Sequence, residues 1–133
     1  MATSSRKTAL TALSEVTENE GYSNIVIDKA IRAAELSPRD AALASTIFYG
    51  VLEKRLTLDF YIRKFFAKPK QKLDGTVLNI LRIAVYQMMY LDRVPDSAAV
   101  NEAVLCAAEY RRGQYKNFVN GVLRSFARGW HEV

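Results

Sequence analysis

The sequence predicts an all-α domain of about seven helices. Apolar residues recur at helical spacing in segment after segment, and no segment shows the alternation with period two that marks a half-buried strand. Residues 77–91 are apolar on nearly every side, which is typical of a helix buried at the centre of a domain. This segment of 15 residues is too short to cross a bilayer, which takes about 20. We therefore expect one domain built around this helix, with no membrane partner.

The first half of the chain predicts four helices after a loose tail at residues 1–4. A cap at Ser4 or Ser5 begins the first helix, over residues 6–17, and Gly21 breaks the chain before a second helix that starts at Ser23 or Asn24. A stronger start follows at residues 37–40, where a serine cap, a proline at the first helical position and an acid three residues after the serine predict the third helix, up to about residue 55. Gly50 inside it predicts a close helix crossing.

The fourth predicted helix covers residues 58–66 and is capped by Thr57. The segment 68–70 contains a proline between two lysines and is the clearest linker in the chain. It divides the single domain, residues 1–133, into two expected sub-bundles at about residues 5–67 and 73–128.

Three more helices are predicted in the second half. The central helix ends at residues 92–95, because the residue before a proline disfavours helical backbone. Asp96 or Ser97 caps the sixth helix, which Gly113 is expected to stop, and the seventh runs from about residue 114 to 128.

The composition favours a partner with negative charge. The 133 residues contain 19 Lys and Arg against 14 Asp and Glu, giving a net charge of +5, and the isoelectric point is near 9.4. Values above about 9 are common among nucleic-acid binders. Both halves of the chain carry an excess of cations, so a basic surface has to be assembled by the fold.

Catalytic signatures are absent from the sequence. There is no glycine-rich phosphate loop and no HExxH motif. The single cysteine, Cys106, has apolar neighbours that predict an inert buried thiol, and it excludes an internal disulfide. The single histidine, His131, makes a zinc site improbable. We expect this chain alone not to be an enzyme, to bind no metal or cofactor, and to act in the cytoplasm, a reducing compartment.

Polar residues, three of them cations, recur on the seventh predicted helix every four residues, which places them on one stripe. The candidate RNA-binding residues there are Lys116, Asn120, Arg124 and Arg128. Such a stripe can bind phosphates without sequence preference, or it can serve as a solubilising outer face.

Further candidate RNA-binding residues lie at helix starts. Arg6 and Lys7 occupy the first turn of the first helix, where exposed backbone N–H groups also attract anions. Arg39 follows Pro38 at the start of the third helix. The alternative is harmless exposed charge, or for Arg39 a partner of Asp40.

Arg82 sits on the central helix on a polar stripe with Asn79, Tyr86 and Tyr90. A buried arginine needs partners because an unpaired buried charge is costly. We expect Glu102 to be that partner, in a polar network completed by Asn101 and Asn117. In the alternative interpretation, Arg82 and Tyr86 open onto an RNA groove.

Several spaced blocks resemble the NusB-like family of helical RNA-binding domains. The resemblance covers about residues 6–127, and its blocks are residues 37–40, 49–52, 81–87, 99–104 and 117–124. Within that family the sequence is most similar to the N-terminal domain of Sun/Fmu-type small-subunit ribosomal RNA methyltransferases B, as residues 36–40 and 91–95 suggest.

The resemblance implies a NusB-like bundle that binds RNA, namely 16S ribosomal RNA. It also implies a linked catalytic domain, absent from this chain, that methylates cytosine C5 with S-adenosylmethionine and supplies the catalytic cysteines. Cys106 does not match those cysteines. The chain is expected to be monomeric. Two alternatives remain: a stand-alone transcription antitermination factor, and a protein-docking domain without RNA contact.

Overall fold

The computed structural model describes residues 4–19, 23–68 and 70–133, and all regular structure in these residues is helical. The elements are α1 (Ser4–Asn19), α2 (Ser23–Ala34), α3 (Pro38–Arg63), α4 (Gly75–Tyr90), α5 (Asp96–Ala108) and α6 (Lys116–Gly129), with 3₁₀ turns at Arg111–Gly113 and Trp130–Glu132. The predicted all-α class is confirmed. Of the sequence predictions, residues 1–3 of the tail, the break at Gly21 and Pro69 of the linker lie outside the described residues, whereas Ser4, the last residue of the predicted tail, is the first residue of α1. Within the described part of the chain, no helix is both long and apolar enough to span a membrane.

The third and fourth predicted helices are one continuous helix, α3, of 26 residues. Thr57, predicted to cap a new helix, is an exposed residue within it. The apolar face runs through without a change of register, because the buried side chains of Val51 and Leu58 are seven residues, or two turns, apart. Residues 53–57 contain neither glycine nor proline, so nothing there interrupts the backbone.

The predicted start of α3 is confirmed. Ser37 has the extended backbone of an N-cap, its hydroxyl accepts a hydrogen bond from the Asp40 amide at 3.2 Å, and Pro38 opens the helix. The start of α5 is different: neither Asp96 nor Ser97 caps it, since the N-cap residue is Pro95, which offers no side-chain acceptor. Its first-turn amides are therefore left without a side-chain cap.

The sixth predicted helix also ends earlier than expected. α5 stops at Ala108, five residues before Gly113. The backbone is already extended at Tyr110 (φ −103°, ψ 126°), and the chain then turns left-handed at Arg111 (φ 45°), Arg112 (φ 58°) and Gly113 (φ 73°). Only glycine adopts this conformation without steric cost. The two preceding arginines are thus the strained part of the turn that leads into α6.

α4 is the central helix, as predicted. It packs against α1, α3, α5 and α6, and ten of its 16 residues are buried. A single core joins side chains from residue 9 to residue 126, so both predicted sub-bundles contribute to it. Around α4, α1 also packs on α3 and α5 packs on α6.

The polar stripe of α4 faces α3 and not a groove. The Arg82 guanidinium donates two hydrogen bonds of 2.7 Å to the two carboxylate oxygens of Asp59, and a third of 3.0 Å to the side-chain oxygen of Asn79. The predicted pairing of Arg82 with Glu102 is therefore wrong. Helix register explains the error: Glu102 lines a small cavity with Ile83 and Gln87, which point away from the Arg82 side of the helix. Asn101 and Asn117 are exposed, so they form no buried network with Arg82.

Gly50 of α3 leaves space for an aromatic ring of α4. A Cβ built on Gly50 would fall on the ring of Tyr86. The glycine therefore marks a close approach, as the sequence suggested, between a backbone and a side chain.

Replacing Gly50 with alanine should lower the free energy of unfolding by about 1 kcal/mol, since overpacking costs more than the helix gains. In a Tyr86→Ala background, the same replacement should instead raise it by about 1 kcal/mol, the helix propensity of alanine over glycine. Urea unfolding of the four proteins measures the coupling. Equal effects in both backgrounds would show that the ring does not require the glycine.

Asp74 ties the start of α4 to the turn after α5. Its carboxylate accepts hydrogen bonds from the amides of Thr76 (2.8 Å) and Val77 (3.2 Å) and from the Tyr110 hydroxyl (2.8 Å). Burial alone would raise the pKa of Asp74, but these hydrogen bonds and the charge of Arg111 outweigh it and hold the pKa below its ordinary value of 3.8.

Asp74 should therefore contribute stability that is present above its ordinary pKa and lost as the pH falls through its lower folded pKa. Asp74→Asn keeps an acceptor at the helix cap but removes the charge. We expect the variant to be less stable than the natural protein at pH 6 and the difference to shrink steadily below about pH 4. Chemical unfolding at a series of pH values tests this. A difference that stays constant with pH would contradict the assignment.

Candidate nucleic-acid interface

Three arginines from three separate elements line one open groove of about 610 Å³. Arg6 comes from the first turn of α1, Arg39 from the first turn of α3, and Arg93 from the loop before α5. The remaining lining residues are Ser37, Asp40, Leu43, Val94, Pro95 and Ala98. With three arginines and a single carboxylate, the lining carries a net charge of +2. We call this site the arginine groove.

Helix starts meet at the arginine groove and add to its positive potential. α3 begins there with Pro38, and α5 begins there behind Pro95 without a side-chain cap. The first amides of a helix carry partial positive charge, which favours anions nearby. Asp40 in the first turn of α3 offsets part of this field. The arrangement suits a ligand with several dispersed negative charges, such as a phosphodiester backbone.

Arg6 is held in place by a buried glutamine of the central helix. Its Nε donates to the Gln87 side-chain oxygen at 3.0 Å, and the Gln87 amide nitrogen donates to the Ile83 carbonyl at 3.0 Å. Gln87 is fully buried. This anchor holds a half-buried arginine that lines the groove, and it reduces the rotamer freedom that a ligand would have to restrict.

Lys7 lies apart from the arginine groove although it follows Arg6 in sequence. Its ammonium group is 3.5 Å from a carboxylate oxygen of Glu109, at the far end of α5, and its side chain is 55% exposed. Such exposed pairs contribute little stability. The structure therefore separates two residues that the sequence had grouped in one candidate anion site.

The predicted cationic stripe exists on α6, as a second surface. Lys116, Arg124 and Arg128 are exposed, and the half-buried Asn120 accepts a hydrogen bond of 2.9 Å from Arg124 Nε. Arg128 lies 3.5 Å from the Ser125 hydroxyl. None of these four side chains lines the arginine groove, so the stripe is a separate surface.

Sequence reasoning missed Arg93 and the role of Gln87. Arg93 carried a usable signal, since it lies two residues before Pro95 at the start of α5, much as Arg39 lies one residue after Pro38 at the start of α3. Gln87 was visible as a polar residue in an apolar helix, but its partner is 81 residues away in sequence. Only the packing of α1 on α4 brings the two together.

Cys106 has the environment of a structural thiol. It is 7% exposed, and burial, together with Glu102 and Glu109, raises its pKa to about 11. At neutral pH it is protonated and a poor nucleophile. Among the residues that the structure describes, no group of three or more His, Cys, Asp or Glu side chains could hold a metal ion.

Comparison with known proteins finds a matching family and relatives that share one name. The family model described as the NusB family matches residues 3–128. The chain is 40% identical over 126 residues to the probable ribosomal RNA small subunit methyltransferase B of Bacillus subtilis (strain 168), and this match covers 95% of the chain and 28% of that protein. It is 36% identical to the protein of the same name from Synechocystis sp., again over 28% of that protein. The chain thus spans less than a third of these curated relatives.

A solved structure with a similar fold is T. maritima NusB. The TM-score is 0.79, with 97% of this chain and 94% of that chain covered. The sequence identity is 20%, so the likeness concerns the fold. That chain therefore consists almost entirely of the shared bundle.

Proposed function

Because the chain belongs to the NusB family, we propose that it is an RNA-binding domain and that the arginine groove receives the RNA backbone. The family and the NusB-like fold predicted from the sequence are both confirmed. The observation that carries the proposal is the convergence of Arg6, Arg39 and Arg93 on one groove, from three elements far apart in sequence. Positive charge collected in this way by tertiary structure favours a polyanion.

The chemistry of the groove favours backbone contacts over base reading. Arginine binds phosphate oxygens through a planar fork of donors, while none of the groove-lining residues is aromatic and able to stack on a base. Binding at the groove alone should therefore tolerate many sequences. Its role is to hold and orient RNA for chemistry performed elsewhere.

The finer part of the proposal concerns the RNA and the linked activity. Two relatives carry the name ribosomal RNA small subunit methyltransferase B, and the matched region is 28% of each. We propose that this domain positions 16S ribosomal RNA for a methyltransferase domain in the same protein, which would hold S-adenosylmethionine and perform the cytosine-C5 methylation. The 133-residue chain contributes RNA contacts and no catalytic group.

A salt titration of RNA binding tests the proposal. The chain should bind 16S ribosomal RNA fragments, and the logarithm of the binding constant should fall linearly with the logarithm of salt concentration, by about 0.7 per phosphate contact for single-stranded RNA. Arg39→Gln and Arg93→Gln should each reduce this slope by about one contact, on fragments of any sequence. Filter binding measures both quantities. RNA binding that is absent, or independent of salt, contradicts the proposal.

A further inference from the structure

Two large apolar side chains project from the outer face of α3, one turn apart. Leu56 is 83% exposed and Phe60 is 55% exposed. A single exposed leucine is ordinary in a protein surface. Here the two side chains are adjacent on one helix face, and the Lys64 ammonium group lies 4.8 Å from the centre of the Phe60 ring. We call these three residues the α3 patch.

The surroundings of the α3 patch favour a protein as the partner. Leu56 is aliphatic and offers no ring for a base to stack on, whereas apolar contact is what a protein surface supplies. The nearby Asp59 carboxylate is engaged on both oxygens by Arg82, so the charge exposed beside Phe60 is the cation of Lys64. A complementary partner surface is apolar at its centre and acidic at its edge.

The size of the α3 patch distinguishes a tethered partner from a free one. Two side chains of this kind bury roughly 300 Å² together when covered. A stable interface between separate chains takes about 800 Å² on each partner. A second copy of this chain would therefore be held too weakly by the patch alone. A domain linked in the same polypeptide needs much less area, because tethering gives an effective concentration of about 1 mM.

The end of the bundle lies close to the α3 patch. The ring of Trp130, in the 3₁₀ turn after α6, packs edge-on against Tyr61 with 6.4 Å between ring centres. Tyr61 in turn packs against Phe60 with 5.5 Å between centres. A domain joined through residues 130–133 would thus start beside the exposed side chains. The curated relatives are long enough for such a domain, since the matched region is 28% of their length.

We propose that the α3 patch is the docking surface for the catalytic domain linked to this one in the full-length protein. The inference rests on the proposed function, because it takes the linked methyltransferase domain as the occupant. Docking there would fix the direction of the arginine groove relative to the catalytic site. RNA held by the groove would then be presented in one orientation and not at the end of a flexible tether.

Cysteine labelling tests the docking site directly. Phe60→Cys would be compared with a matched control, Ile25→Cys on α2, where the natural residue is 60% exposed. The natural Cys106 is buried and reacts slowly, so it need not be removed. Each variant would be treated with a maleimide in two forms: the 133-residue chain, and the full-length protein that its gene encodes.

In the 133-residue chain, both variants should label at similar rates. In the full-length protein, labelling at residue 60 should slow by about tenfold or more, as an intramolecular contact of this kind would produce, while labelling at residue 25 stays unchanged. Equal rates at residue 60 in the two forms, or a gene that encodes no further domain, would overturn the proposal.

Two further outcomes would also overturn it, and each points to another occupant. Slower labelling of the 133-residue chain at higher protein concentration would indicate a second copy. Slower labelling on addition of a 16S ribosomal RNA fragment would indicate RNA. The RNA-binding proposal fails separately, in the salt titration of the arginine-groove variants, whose substituted residues lie outside the α3 patch.

Discussion

Replacing Asp59 with alanine should destabilise the domain by about 3 kcal/mol, the largest effect we expect from a single polar residue. The substitution removes both charge-assisted hydrogen bonds of 2.7 Å from Arg82. Arg82 is 8% exposed and would retain the Asn79 side-chain oxygen as a hydrogen-bond partner. Removing one partner of such a pair leaves a charge in a poorly solvated site, and this is the source of the cost.

The effect should be recovered by removing the other charge as well. Asp59→Leu combined with Arg82→Met replaces the ion pair with apolar side chains of similar length, and such exchanges are often neutral. We expect the double variant to lie within about 1 kcal/mol of the natural protein. Urea unfolding, with one m value fitted to all curves, measures the free energy of unfolding of all of these variants. A loss below about 1 kcal/mol for Asp59→Ala would show that Arg82 finds solvent easily, and would contradict the structural role assigned to the pair.

Charge reversal in the arginine groove should have the largest effect on RNA binding. Arg39→Glu with Arg93→Glu removes two expected phosphate contacts, which corresponds to a decrease of about 1.4 in the salt slope and about 25-fold in affinity at 0.1 M salt. Repulsion by the new carboxylates adds to this loss. Both residues are exposed, so the fold should tolerate the change. Arg6 is left in place because it also bonds to Gln87.

The matched control is a charge reversal on the other cationic surface. Arg124→Glu with Arg128→Glu changes the net charge of the domain by the same amount, but on α6. If the arginine groove holds the RNA, this control should lower affinity only severalfold, through the general field of the protein. If the α6 variant instead bound RNA more weakly than the groove variant, the RNA interface would lie on α6. Equal losses would indicate non-specific attraction to the whole domain. Unfolding curves show whether each variant is folded.

The sequence was sufficient for the features that depend on local pattern. Helical periodicity predicted the class, and the nearly apolar segment predicted the central helix. The start of α3 was predicted correctly because its cap needs only Ser37, Pro38 and the Asp40 amide, all within four residues. Local reasoning was wrong at Thr57, where a residue type suited to capping lies within a helix. Continuous packing of the apolar face overrides such a weak preference.

The family resemblance was also within reach of the sequence, since it rests on blocks of residues spread over nearly the whole chain. The resemblance predicted the fold and RNA binding. It did not identify the groove, because a family pattern does not say which exposed cations end up side by side.

Only the tertiary structure decided the partners of polar side chains. Arg82 bonds to Asp59, 23 residues away, and Arg6 bonds to Gln87, 81 residues away. Arg6 and Lys7 are adjacent in sequence, but of the two only Arg6 lines the arginine groove, which it shares with the distant Arg93. The physical reason is the separation in sequence over which each interaction acts. Capping and periodicity act within a few residues of one helix, whereas a salt bridge or a charged groove depends on which helix faces turn towards each other, and that is fixed by packing of the whole core.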